Sequence, residues 1–188
     1  MNLNYRLILA SNSPRRQMLL KELGLDFEVI TQEIDESYPA TLQIKKVAEY
    51  IAIKKAEAYT LKQDELIITA DTVVIAENTI LGKPAHEKEA ISTLEKLSDK
   101  THIVTTGVCL KTKDKQISFS QNTEVTFDEI TKEEIKYYVS KYRPLDKAGS
   151  YAIQEWIGMI GIKNINGDYY NVVGLPLHAL WASLKKFK

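Results

Sequence analysis

Apolar residues fall along this chain in two alternating rhythms, short unbroken runs and three-to-four-residue stripes. Leu7-Ile8-Leu9-Ala10 has the length and composition of a buried strand. Met18, Leu19 and Leu23 then mark one helix face, and Gly24 stops that helix. Phe27-Glu28-Val29-Ile30 predicts a second strand, and residues 31–37 an acidic loop. Residues 40–60 predict a helix whose stripe is Ile44, Val47, Ala48, Ile51 and Ala58. Lys55 falls on that stripe. A lysine there either snorkels its ammonium to water or reaches into a cleft, and the spacing does not choose.

The same reading continues to the C-terminus. Residues 66–70 form a strand that Val73-Val74-Ile75-Ala76 extends past an interruption, Asp71-Thr72. Glu77-Asn78 turns the chain into Thr79-Ile80-Leu81, and Gly82-Lys83-Pro84 makes a sharp turn. A helix over 86–98 faces Ala90, Ile91, Leu94 and Leu97 inward. Two long strands, 102–110 and 116–127, flank a polar tip at Lys113-Asp114-Lys115. Thr131 and Glu134 are spaced as a capping box opening a helix to about Tyr142. After a loop over 143–151, residues 157–163 and 169–173 are expected as strands around an Asn166-Gly167 hairpin. Gly174-Leu175-Pro176 stops the chain before a last helix, whose Trp181 and Phe187 either face a partner chain or, the expectation preferred, pack in the core. Early strand–helix alternation with a central hairpin predicts an α/β domain with a mixed, twisted sheet and flanking helices.

Composition narrows the classes. A chain of 188 residues, 44% hydrophobic and 27% charged, fits one soluble domain over 1–188. Lys+Arg and Asp+Glu are 25 each, so the basic excess of a general nucleic-acid binder is missing. No run is long enough to span a membrane, and the first residues lack a signal peptide's apolar core. The single cysteine, Cys109, sits in an apolar run as a small buried hydrophobe. The expected location is the cytoplasm.

The candidate chemistry begins at Ser11-Asn12-Ser13-Pro14-Arg15-Arg16. Ser13 suits an N-cap and Pro14 the first helical position. A helix N-terminus favours an anion. Two arginines in the first turn oppose the helix dipole, and a bound phosphate chain would justify them, since guanidinium forks match phosphate oxygens. Asp71 inside an apolar strand is costly unless paired or metal-bound, and site acids often stand at a sheet edge. Glu33, Asp35 and Glu36 cluster in the acidic loop, and Lys83 sits in a rigid turn that could aim it at phosphate. His86, His102 and His178 lack metal-ligand spacing. Gln154 follows Tyr151-Ala152-Ile153, and its amide offers the donor and acceptor that reading a base edge requires.

Taken together these motifs resemble the Maf family of nucleoside triphosphate pyrophosphatases. The resemblance rests on Ser11 through Arg16, Asp35-Glu36-Ser37, Lys55-Ala56, Ala70 through Val74, Gly82-Lys83-Pro84, Lys147 through Gln154, and Gly167 through Pro176, all in the family's order. It implies an inosine-triphosphatase-like, two-lobed α/β fold with a central cleft, often dimeric. It also implies hydrolysis of a nucleoside triphosphate to the monophosphate and pyrophosphate with a divalent cation, Mg²⁺ or Mn²⁺. By the resemblance Asp71 is the proton acceptor, and Arg15, Thr72 and Gln154 mark the branch preferring dTTP and UTP. That branch commonly has glycine after the glutamine; Glu155-Trp156 stands here.

The residues carry a matching division of labour. Ser11, Ser13, Arg15, Arg16, Lys55 and Lys83 suit the polyphosphate, and Glu36 with Asp71 suits the metal or the attacking water. The rival readings are the same reaction on a modified or purine nucleotide, and a non-enzymatic regulator of cell division that binds nucleotide. No nucleic-acid partner is expected, and a homodimer is compatible with the sequence.

Overall fold

The structure, a computed structural model, describes residues 3–187. Its strands are β1 (Arg6–Leu9), β2 (Glu28–Val29), β3 (Glu65–Ala76), β4 (Thr79–Leu81), β5 (Thr101–Lys111), β6 (Gln116–Phe127) and β7 (Ile162–Asn166). Its helices are α1 (Pro14–Glu22), α2 (Val47–Glu57), α3 (Glu87–Leu97), α4 (Lys132–Tyr142), α5 (Trp156–Gly161), α6 (Tyr169–Val173) and α7 (Leu177–Leu184). The strands pair in the order β2-β1-β3-β5-β6-β7, with β4 added to β3. β1 runs parallel to both β2 and β3, whereas β4 and β7 run antiparallel to β3 and β6. The sheet is therefore mixed, as the alternating pattern predicts.

Two compact units are distinguished. The first holds the chain up to Asp71, Thr106–Gln121 and the residues from Gly174 on. Its core packs Ile8 of β1, Ile67 of β3 and Cys109 of β5 against Ala52 and Ala56 of α2. Alanines let the helix lie close to the sheet. The approach is tightest at Gly107, where a Cβ would stand 2.2 Å from the carbonyl carbon of Ala48.

The second unit holds Thr72–Thr105 and Asn122–Val173. Its centre is aromatic: His102, Phe127 and Tyr151 meet with ring centroids 5.0–5.4 Å apart. Beside them are the buried Leu94, Leu97, Ile135, Tyr138 and Val139. Glu77 and Asn78 take φ of 48° and 60°, the left-handed pair a two-residue hairpin requires, and join β3 to β4. Thr131 and Glu134 form the capping box of α4.

Several expectations are corrected. Residues 157–163 and 169–173 do not pair as a hairpin. The first stretch winds into α5 before β7 begins, and the second is α6. Tertiary contacts override the β-prone composition. Gly158 lets the chain close on the Ile153 carbonyl, where a Cβ would stand 1.9 Å from the oxygen. Asp168 caps α6 by accepting from Tyr170 N–H at 2.8 Å, and the buried Asn171 donates to Val104 O and Thr123 Oγ.

In α1 the buried face is Leu19 and Leu20, while Met18 is exposed. The helix expected from residue 40 begins at Val47 after a 3-10 turn, Ile44–Lys46, and Ala58 is exposed. The second strand is reduced to two exposed residues. β3 runs unbroken through Asp71-Thr72 and is an internal strand rather than an edge. Phe187 is buried, as expected of a core residue.

Candidate functional site

The turn between β1 and α1 is shaped by its own short polar side chains. Ser13 caps α1, its Oγ accepting from Arg16 N–H at 3.5 Å, and Pro14 opens the helix. Ser11 Oγ accepts from Ser13 N–H at 3.2 Å, which curls the backbone. Arg16 then binds the turn to distant chain. Its Nε donates to Gly174 O and its Nη1 to Ala70 O, both at 2.9 Å, and Nη1 also reaches Ser11 Oγ at 3.4 Å. Burial lowers the guanidinium's pKa, against the opposing pull of Asp71 and with a further push from Arg15. The two arginines thus differ. Arg16 spends much of its fork on main-chain carbonyls, and Arg15 stands one residue earlier on the same helix end.

Asp71 lies on the stretch of β3 between two pairings. β1 pairs as far as Ile68, and β4 begins opposite Val74. Lys55 of α2 is aimed at this stretch. Its Nζ stands 2.8 Å from Asp71 Oδ1 and 2.7 Å from Glu36 Oε1. The Lys55 and Asp71 side chains are only 14% and 15% exposed, so solvent screens this contact less than a surface pair. The open question about Lys55 is settled: its ammonium is held between two carboxylates and does not snorkel. The register explains it, because Ile51, Ala52 and Ala56 bury the neighbouring positions of α2.

The acidic loop is anchored beside them. Asp35 accepts from Ser37 N–H and Oγ and pairs with Lys54 Nζ at 2.9 Å, contacts that hold its carboxyl far below the usual range. Residues Gln32 to Glu36 line an open hollow of about 500 Å³.

The first unit therefore brings Ser11, Ser13, Arg16, Glu36, Lys55 and Asp71 into one connected set, with Arg15 on the same helix end. Thr72, Lys83 and Gln154 belong to the second unit. Thr72 follows Asp71 along β3. Lys83 is exposed between Gly82 and the buried Pro84. Gln154 is half-buried, and its Oε1 has no hydrogen-bond partner among the described residues. Sequence reasoning missed Gly174 as the acceptor for Arg16, because a carbonyl leaves no signature. It also missed the contacts of Glu155, although the unusual residue after Gln154 pointed at that position.

The profile of the Maf-like protein family matches residues 6–187. A dTTP/UTP pyrophosphatase of Phocaeicola vulgatus is 56% identical over 97% of this chain and 96% of its own. One of Parabacteroides distasonis is 53% identical over the same shares. Among solved structures the Staphylococcus aureus Ham1 protein is similar, with a TM-score of 0.56 at 18% identity over 97% of this chain and 100% of its own. That likeness concerns the fold. With the family profile and relatives above 50% identity both matching over nearly the whole length, the chain belongs to the Maf-like protein family.

Proposed function

We propose that this protein is a nucleoside triphosphate pyrophosphatase that converts dTTP and UTP to the monophosphate and pyrophosphate. The observation that carries the reading is the Lys55 ammonium clasped by Glu36 and Asp71, in the same unit as the arginine-bearing end of α1. Anion-seeking N–H groups and guanidinium suit a polyphosphate. A carboxylate held in place by a lysine is positioned to accept a proton from an attacking water. The dTTP/UTP names of relatives above 50% identity support the substrate class.

Roles follow from chemistry. Arg15, Ser11, Ser13 and Lys83 serve the phosphates, and Arg16 holds their turn in shape while adding positive charge. Asp71 accepts the proton of the attacking water, and Lys55 holds Asp71 in place. Thymine and uracil present an acceptor O4 beside an N3–H donor, and the Gln154 amide complements that order. Cytosine reverses it. Thr72 shares this substrate preference.

The donor set fits a divalent cation. Glu36 and Asp71 already converge on a cation, the Lys55 ammonium, and Mg²⁺ needs only one or two carboxylates when phosphates and water complete its shell. Among the described residues no cluster of three or more potential ligand side chains occurs. Bound there, Mg²⁺ or Mn²⁺ would neutralise phosphate charge and lower the pKa of water. Among the described residues no helix is long and apolar enough to cross a membrane. The reading carries a cytoplasmic location and a two-chain assembly, and light scattering of the purified protein would test the latter.

The test is turnover of a panel of nucleoside triphosphates with the products identified. dTTP and UTP should yield monophosphate and pyrophosphate, and chelating divalent cations should stop the reaction. Asp71→Asn should lower kcat by about a thousandfold, the scale of losing a positioned base. Near-full activity in that variant would remove Asp71 from the chemistry.

A further inference from the structure

Gln154 lies in a turn that is pinned on both sides. Glu155 N–H donates to Ala152 O at 3.0 Å, and Gly158 N–H donates to Glu155 O at 2.9 Å. Gly158 itself touches the Ile153 carbonyl too closely for any side chain. The Glu155 side chain makes no capping bond to α5, the local use its position offers. It turns instead to α4 and to the loop that follows. Oε2 accepts from Tyr138 OH, and Oε1 stands 3.5 Å from Lys147 Nζ. Tyr138, fully buried, accepts in turn from Ala152 N–H at 3.3 Å. Burial, and then the Glu155 contact, push the phenol's pKa far up, so it remains a donor. Lys147 is 9% exposed and also meets Asp146 Oδ1 at 2.7 Å. A carboxylate is held this way at the cost of desolvation, offset by a phenol and an ammonium. Between these fixed points the Gln154 carbonyl oxygen is buried and has no donor among the described residues.

Resting on the reading of Gln154 given above, we propose that Glu155 is a positioning residue for substrate selection: through Tyr138 and Lys147 it fixes the turn so that the Gln154 amide is preset for the imide edge of uracil or thymine. The carbonyl lacking a donor is the acceptor an imide N–H would satisfy. A base without that hydrogen leaves it unsatisfied, which is how hydrogen-bonding sites discriminate strongly. A glycine at 155 could not make these contacts, so this chain reaches a fixed turn by side-chain bonds.

The readout is kcat/KM for UTP over CTP, with inhibition by inorganic tripolyphosphate reporting the phosphate grip. Glu155→Ala and Tyr138→Phe should each lower the ratio by about tenfold or more, through a higher KM for UTP, as a displaced contact does. Tripolyphosphate inhibition should stay unchanged in both. The double variant should be no worse than the poorer single one, because both cut the same link. Glu155→Gln keeps an acceptor for Tyr138 and should retain most of the preference. If Gln154→Ala lowers the ratio while Glu155→Ala and Tyr138→Phe leave it intact, the positioning role is overturned and the base reading stands. If Gln154→Ala itself changes nothing, both fall. Equal losses with UTP, CTP and tripolyphosphate would show that Glu155 merely supports the fold, and would also overturn the proposal.

Discussion

Arg16 ties the turn after β1 to carbonyls 54 and 158 residues further along the chain. A lysine ammonium cannot reproduce that planar fork. Arg16→Lys should therefore cost about 1–3 kcal/mol, the scale of hydrogen bonds to a charged group, seen as a lower urea midpoint. It should also weaken every triphosphate substrate, since Ser11 leans on the same guanidinium. Cys109 is the opposite kind of residue. It is fully buried, and burial pushes its thiol up to about 12. A thiolate-seeking reagent should leave the native protein unlabelled at pH 8 and modify it in denaturant. Rapid labelling of the folded chain would contradict the packing of β5 against α2.

At the scale of elements, the contact between β5 and α2 sets the position of Lys55. Gly107 abuts the main chain of Ala48 and Glu49, which cannot swing aside as a flexible side chain would. Gly107→Ala should lower stability by about 1–3 kcal/mol or more, the usual cost of overpacking. Because α2 would be displaced, turnover should fall as well, even though Gly107 contributes no side chain. Parallel measurement of the urea midpoint and of kcat checks both. The first-turn signals of α1 and α4 were legible because each cap lies within three residues of its partner. Residues 157–173 were not, because Gly158 and Asn171 act on chain that sequence pattern does not bring near.

For the molecule as a whole, the buried aromatic centre of the second unit predicts the response to acid. His102 is 2% exposed, hydrogen-bonded through Nε2 to Tyr151 OH at 2.7 Å, and burial brings its pKa down to about 4. Unfolded, it titrates near its ordinary value of 6.5. The folded state thus binds fewer protons between these values. The stability His102 supports is complete above pH 6.5 and is lost as pH falls toward 4, by about 3 kcal/mol in all. Urea unfolding at pH 7.5, 5.5 and 4.5 measures it. In His102→Phe that part of the slope should vanish, while stability at pH 7.5 drops through loss of the Tyr151 bond. The sequence by itself determined the alternation of strands and helices as far as α4, the caps at Ser13 and Thr131, and which residues carry charge suited to a nucleotide. All of these follow from side chains acting on backbone a few residues away. Only the tertiary structure decided that Lys55 is clasped by Glu36 and Asp71, that Arg16 is bound to Ala70 and Gly174, and that Glu155 turns to Tyr138. Those partners are brought together by packing of the sheet and its helices, across separations that no local pattern encodes.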